Sequence, residues 1–80
     1  MGRAATPRIK YLPAKLLAIR QTLGLSQPQM AQRIRLPDYR HVSEWEKGRR
    51  QPNVLVLLAY ARAAQIPLES IVDDEIELEF

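Results

Sequence analysis

Residues 26–48 read SQPQMAQRIRLPDYRHVSEWEKG, and this stretch decides the fold. Ser26 followed three residues later by Gln29 is a capping-box pattern, in which each side chain pairs with a backbone N–H that a helix start leaves without an intrahelical partner. Met30, Ala31 and Ile34 then share spacings of three and four, which gives one apolar stripe on a helix of about two turns. Arg35, Leu36 and Pro37 interrupt it. Proline disfavours helical backbone in the residue before it, so Leu36 should be extended and the chain should turn sharply. Asp38 is placed to cap a second helix, expected over about 38–47. On that helix Val42 and Trp45 sit three apart on the inner face, while Tyr39, Arg40, His41, Ser43 and Glu44 point largely elsewhere. Gly48 follows as a left-handed C-cap.

Toward the N-terminus, residues 1–7 are small and polar and are expected to form a mobile arm. Residues 8–12, RIKYL, alternate charged with apolar or aromatic groups, a strand-like pattern over a short span. Pro13 ends it and suits a helix start, where no backbone donor is needed. Leu16, Ile19 and Leu23 fall on one face of this first helix, Leu17 lies off it, and Gly24 closes it. Toward the C-terminus, residues 49–52 cannot easily continue a helix, and Asn53 is a good cap for one beginning at Val54. Val54, Leu57, Leu58, Ala61 and Ala64 give its inward stripe with Tyr60 beside it, so this helix is expected at the centre of the core. Leu55 and Val56 extend its apolar surface to a second face, either buried on two sides or left as a contact patch. Gln65, Ile66 and Pro67 form a break, after which Leu68, Ile71 and Val72 give a last short helical turn.

Residues 75–80, EIELEF, alternate strictly, as a half-buried strand does. A lone strand is not stable, and the other strand-like stretch is 8–12. A pairing of 8–12 with 76–80 is therefore expected. It would set Arg8 and Lys10 against Glu75, Glu77 and Glu79, and Ile9 and Tyr11 against Ile76, Leu78 and Phe80. The pair can form within one chain or be exchanged between two, and the second arrangement builds a dimer through Ile76, Leu78 and Phe80.

Eighty residues suit a single domain, 1–80, with its helical core over 14–73. There is no cysteine, so neither a disulfide framework nor a thiolate metal site is available. The longest uncharged apolar run, 54–61, is far shorter than a membrane span needs, and Arg3 and Arg8 are not followed by a signal-type apolar run. A cytoplasmic protein without a membrane partner is the expectation. The charge is lopsided: residues 1–53 carry eleven Lys or Arg against three acids, and residues 54–80 one Arg against six acids. A basic half containing two short helices at a tight turn suits a duplex, because neutralising phosphates releases counterions.

Leu25-Ser26-Gln27, Met30-Ala31, Val42-Ser43, Trp45-Glu46-Lys47-Gly48 and residues 49–52 together resemble the helix-turn-helix of Cro and the phage repressors, the XRE-type family. The resemblance runs from about residue 16 to 72. Between Ile34 and Val42 this chain has one residue more than the common pattern, and Arg35-Leu36-Pro37 replaces the usual turn glycine. The resemblance implies an all-α, five-helix lambda-repressor-like DNA-binding domain, to which the terminal β-pair would be an addition. It also implies base contacts from Tyr39 and Arg40, with Glu44 next. Arg40 can donate two hydrogen bonds to guanine O6 and N7, worth about 1–3 kcal/mol of discrimination. Glu44 can accept from cytosine. Tyr39 or His41 can reach a thymine methyl, a base edge or a phosphate, and Ser43 completes the base-facing set. Gln27, first in its helix, is implied to bind backbone phosphate, where the helix N-terminus also favours an anion. Lys47, Arg49, Arg50, Gln51 and Asn53 surround the next helix start and are placed to grip phosphates, which position rather than specify. Arg20 and Glu46 are implied to pair structurally, and Trp45 reads as a buried anchor.

The expected function is sequence-specific binding of double-stranded DNA as a transcriptional regulator, by a homodimer on an inverted repeat. The alternative is a protein-interaction module of antitoxin or coactivator type, using Leu17, Leu55, Val56 and the alternating tail against a protein partner. Ser26, Ser43, His41 and Asp38 include the residue types of a hydrolase, but no pattern orients them, so no enzyme is expected. No cofactor or metal is expected either, since His41 has no cysteine or second histidine to share an ion.

Overall fold

A computed structural model describes residues 8–79, and the expected arm over 1–7 lies outside them. Its elements are α1 (Leu12–Leu23), α2 (Gln27–Arg33), α3 (Arg40–Glu46), α4 (Val54–Ala64) and α5 (Leu68–Val72), with no strand among the described residues. The core is Leu12, Leu16 and Ile19 of α1, Met30 and Ala31 of α2, Val42 and Trp45 of α3, Leu57, Tyr60 and Ala61 of α4, and Ile71 of α5. Every helix thus contributes the inner stripe that its spacing demands.

The hub is α1, which packs against α3, α4 and α5. This corrects the expectation that α4 would be central. α4 does bury Leu57, Tyr60 and Ala61, but Val54 and Leu55 in its first turn are 61% and 73% exposed. They extend past the end of the core, so the stripe position of Val54 does not bury it.

Four helices end in the same device. In each, a residue of positive φ follows the last turn and two backbone N–H groups bond back to the helix carbonyls, the Schellman arrangement. After α1 it is Gly24 (φ 73°), with Leu25 N–H donating to Arg20 O at 3.1 Å. After α3 it is Gly48 (φ 75°), with Arg49 N–H donating to Glu44 O at 3.0 Å. After α2 and α4 it is Arg35 (φ 65°) and Gln65 (φ 57°), with Leu36 N–H to Ala31 O at 2.8 Å and Ile66 N–H to Ala61 O at 3.0 Å. Arg35 therefore takes the backbone conformation of the missing turn glycine, at a cost of about 1–2 kcal/mol.

The start of α2 is a complete capping box: Gln29 N–H donates to Ser26 Oγ at 3.2 Å and Ser26 N–H to Gln29 Oε1 at 2.9 Å. The start of α3 is later than expected, at Arg40 rather than 38. The Asp38 carboxylate accepts from the Arg40 backbone N–H at 2.9 Å, a side-chain turn that holds residues 38 and 39 outside the helix.

The expected strand pair of 8–12 with 76–80 is not formed among the described residues. Leu12 is drawn into α1 ahead of Pro13, and the backbone N–H groups of Lys10 and Tyr11 donate to the Asp74 carboxylate at 2.8 and 3.0 Å. The two segments do meet, through a capping side chain instead of a ladder. The tail is fixed by Lys15, which is 7% exposed. Its ammonium donates to the carbonyls of Ser70, Asp73 and Ile76 at 2.9, 2.9 and 2.7 Å, which uses all three of its N–H donors. Leu78 then packs on the core, and Phe80 lies outside the described residues.

Candidate nucleic-acid interface

The α2–α3 unit is locked to α1 by one polar knot. Arg20 Nε and Nη2 donate to Glu46 Oε2 and Oε1 at 2.7 and 2.9 Å, and Arg20 Nη1 donates to the Leu25 carbonyl at 3.0 Å. Gln27 Nε2 adds a third donor to Glu46 Oε1 at 3.0 Å. The side chains of Arg20 and Glu46 are 16% and 5% exposed, so a forked charged pair is held largely out of water. The bond to Glu46 raises the Arg20 pKa above its ordinary value, with burial opposing. Beside the knot, Trp45 meets Tyr60 edge to face at 6.3 Å between ring centres. Burial pushes the Tyr60 phenol above its ordinary value, with Glu46 adding to the shift and Arg20 opposing it.

With its inner face anchored in this way, α3 presents the opposite face to solvent. Tyr39, Arg40 and His41 are exposed, and Ser43 and Glu44 are half-buried. Arg40 Nη2 donates to Asp38 Oδ2 at 3.1 Å, a solvated pair of little net stability whose geometry steadies the guanidinium. Through that bond first, and the Arg40 backbone N–H second, the Asp38 carboxyl is held below its ordinary pKa. Glu44 Oε1 lies 3.6 Å from Arg50 Nε and 3.7 Å from His41 Nδ1, and the His41 ring stacks on Trp45 at 6.0 Å. Asp38, Arg40, His41, Glu44 and Arg50 line one shallow depression.

The flank of α3 carries the second group of expected contacts. Lys47, Arg49 and Arg50 are exposed. Gln27, Gln51 and Asn53 each hold a structural bond as well. Gln27 serves Glu46, Gln51 Oε1 accepts from Ile9 N–H at 2.8 Å, and Asn53 Oδ1 caps α4 by accepting from Val56 N–H at 3.0 Å. Among the described residues no group of three or more His, Cys, Asp or Glu side chains could hold a metal ion, and no helix is long and apolar enough to cross a membrane.

The family model described as Helix-turn-helix (HTH_3) matches residues 16–71. That span begins in α1, contains α2, α3 and α4, and ends within α5. The chain belongs to the XRE-type helix-turn-helix family. No curated protein and no solved structure matches it.

For an XRE-type domain, a DNA-binding regulator in general, the structure gathers the expected base-facing residues on the outer side of α3 and at its N-cap, and the expected phosphate-facing ones on the adjoining loop, except Gln27, which starts α2. The expected dimer residues stand elsewhere: Ile76 and Leu78 are half-buried against their own chain, and Ile76 gives its carbonyl to Lys15. Sequence reading missed Lys15 and Asp74 as structural centres. A signal for Lys15 was present, because it lies in the same stripe as Leu12, Leu16 and Ile19. A cation within an apolar stripe calls for a buried acceptor. Asp74 carried no such signal, since its partners are backbone groups 63 and 64 residues away.

Proposed function

We propose that this chain is a transcriptional regulator that binds double-stranded DNA sequence-specifically in the cytoplasm, with α3 in the major groove. The observation that carries this reading is the exposed, steadied Arg40 at the start of α3, on a helix whose opposite face is fixed by the Arg20–Glu46–Gln27 knot. A recognition helix reads bases with its N-terminal residues, and Arg40 is the first residue of α3. One Arg40 N–H faces Asp38, which leaves enough of the five guanidinium donors for a two-bond contact to guanine. Tyr39, His41, Ser43 and Glu44 complete the reading surface, while Lys47, Arg49 and Arg50, with the remaining amide donors of Gln27 and Asn53, hold the DNA backbone beside Gln51. Two copies on an inverted repeat form part of the proposal.

A specific observation favours one second reading, that of a protein-interaction module. Val54 and Leu55 are large, apolar and exposed side by side. The test is enrichment of a random duplex library on the purified chain at moderate salt, with Arg40→Ala alongside. Enrichment of an inverted repeat with half-sites about one helical turn apart supports the regulator and its pairing. A single half-site keeps the regulator and removes the pairing. Binding that fades with salt and selects no sequence overturns the reading in favour of the protein partner.

A further inference from the structure

The segment leading into α1 is stitched down at every residue from 8 to 11. Arg8 Nη2 donates to the Gly48 carbonyl at 2.6 Å, Ile9 N–H to Gln51 Oε1 at 2.8 Å, and Lys10 and Tyr11 N–H to the Asp74 carboxylate at 2.8 and 3.0 Å. One side of the segment is thus held by the connection between α3 and α4, and the other by the C-terminal tail. The outcome is a juxtaposition that sequence distance hides. Arg8 stands with Arg49 and Arg50 around a depression of about 530 Å³, whose other walls are Gln51, Pro52 and Asn53. No carboxylate lines it. Glu44 Oε1, 3.6 Å from Arg50 Nε, offsets part of one of the three charges, and an anion in the hollow relieves the repulsion that remains. Arg8 spends a single N–H on Gly48 and keeps four others.

We propose that Arg8 is a DNA contact, completing with Arg49 and Arg50 a site for one backbone phosphate beside the reading helix, and that Asp74 is the positioning residue that holds Arg8 there. The inference rests on the duplex-binding reading given above. The occupant is a phosphodiester of the duplex. The hollow is open, borders the loop that follows α3, and presents forked donors suited to phosphate oxygens. Asp74 acts at a distance: it grips the backbone of residues 10 and 11 and so fixes where residue 8 emerges.

The test is the salt dependence of binding to one duplex between about 50 and 200 mM salt, for the parent chain and for Arg8→Gln, Arg49→Gln, Arg62→Gln and Asp74→Ala. Thermal melting of each variant keeps loss of fold separate from loss of contact. Arg62 is an exposed cation in a different depression, with Arg33 and Arg35, and controls for net charge. Losing one phosphate contact lowers the salt slope by about 0.9, so the affinity loss across this range should shrink by roughly 3.5-fold in Arg8→Gln. Arg62→Gln should leave the slope in place. Asp74→Ala separates the two explanations by sign. Removing a negative charge should tighten binding if only net charge matters, whereas the positioning role lowers the slope, with no further drop when Arg8→Gln is added. Equal effects of Arg8→Gln and Arg62→Gln overturn the proposal, as does a slope lowered by Arg49→Gln but not by Arg8→Gln. In both outcomes the duplex reading stands. A parent chain that binds no duplex overturns both.

Discussion

Arg20→Met tests whether the knot holds α3 to α1. Glu46 would lose two donors, at 2.7 and 2.9 Å, and keep Gln27 at 3.0 Å, with its side chain only 5% exposed. Removing one partner of a buried pair costs about 3–5 kcal/mol, because the remaining charge stays poorly solvated. Arg20 is 16% exposed and Gln27 remains, which places the cost near the lower end, about 3 kcal/mol. A chain of 80 residues has a total stability of about 4–12 kcal/mol, so the variant loses a large share of it. Urea denaturation followed by circular dichroism reads the change. With a slope of about 1 kcal/mol per molar, the midpoint should fall by about 3 M. The double variant Arg20→Met with Glu46→Leu removes both charges and should cost less than Arg20→Met alone, since no orphan carboxylate remains. The reasoning is refuted if Arg20→Met costs under about 1 kcal/mol, or if the double variant costs the sum of the two single ones.

Lys15→Met strips three carbonyls of a shared cationic donor and should cost about 3 kcal/mol, read by urea denaturation, with faster amide exchange in residues 73–79 than in α1. Gln65→Gly relieves a left-handed backbone but adds chain entropy, for a net stabilisation of about 0.5–1 kcal/mol, and Arg35→Gly should act alike; a lowered melting temperature in both would count against the strain. Asn53→Asp keeps an oxygen to cap α4 but sets a negative charge at the basic hollow, so the melting temperature should hold while duplex affinity drops. The backbone N–H of Tyr11, then that of Lys10, holds the Asp74 carboxyl below its ordinary value of 3.8. Its contribution to stability is therefore complete above 3.8 and is lost as pH falls through the lowered folded value. Asp74→Asn should flatten that acid limb, and a superimposable stability profile would remove the role.

The candidate site was legible as a set of residues and less so as a geometry. Spacing alone puts Arg40 and Glu44 on one face of α3 and Val42 and Trp45 on the other, because helical period fixes direction around an axis. Period says nothing about which exposed charges meet. The proximity of Arg50 to Glu44 follows from the Schellman turn at Gly48, which swings the chain back beside α3. The second duties of Gln51 and Asn53 are also tertiary. Their amides look like surface donors in the sequence, yet one holds residue 9 and the other starts α4.

The fold divides along the same line. Local signals determined the five helices: a capping box at Ser26, a cap at Asn53, stops at Gly24 and Gly48, and apolar stripes of helical period. Each acts within about five residues, the range over which backbone hydrogen bonds of a helix close. Arg35 and Gln65 take the left-handed stop without a glycine, so there the packing of α2 and α4 imposed a conformation that local preference opposes. The described segments 8–12 and 75–79 were decided by tertiary structure alone. Residues 8–12 and 75–80 both alternate as strands do, but a strand needs a partner edge. In the folded chain Asp74 takes two of the edge donors, α1 starts at Leu12 beside them, and Lys15 draws the tail across α1 through three carbonyls. A pattern of period two states only what a segment would do if an edge were open, and here side chains from distant positions closed it first.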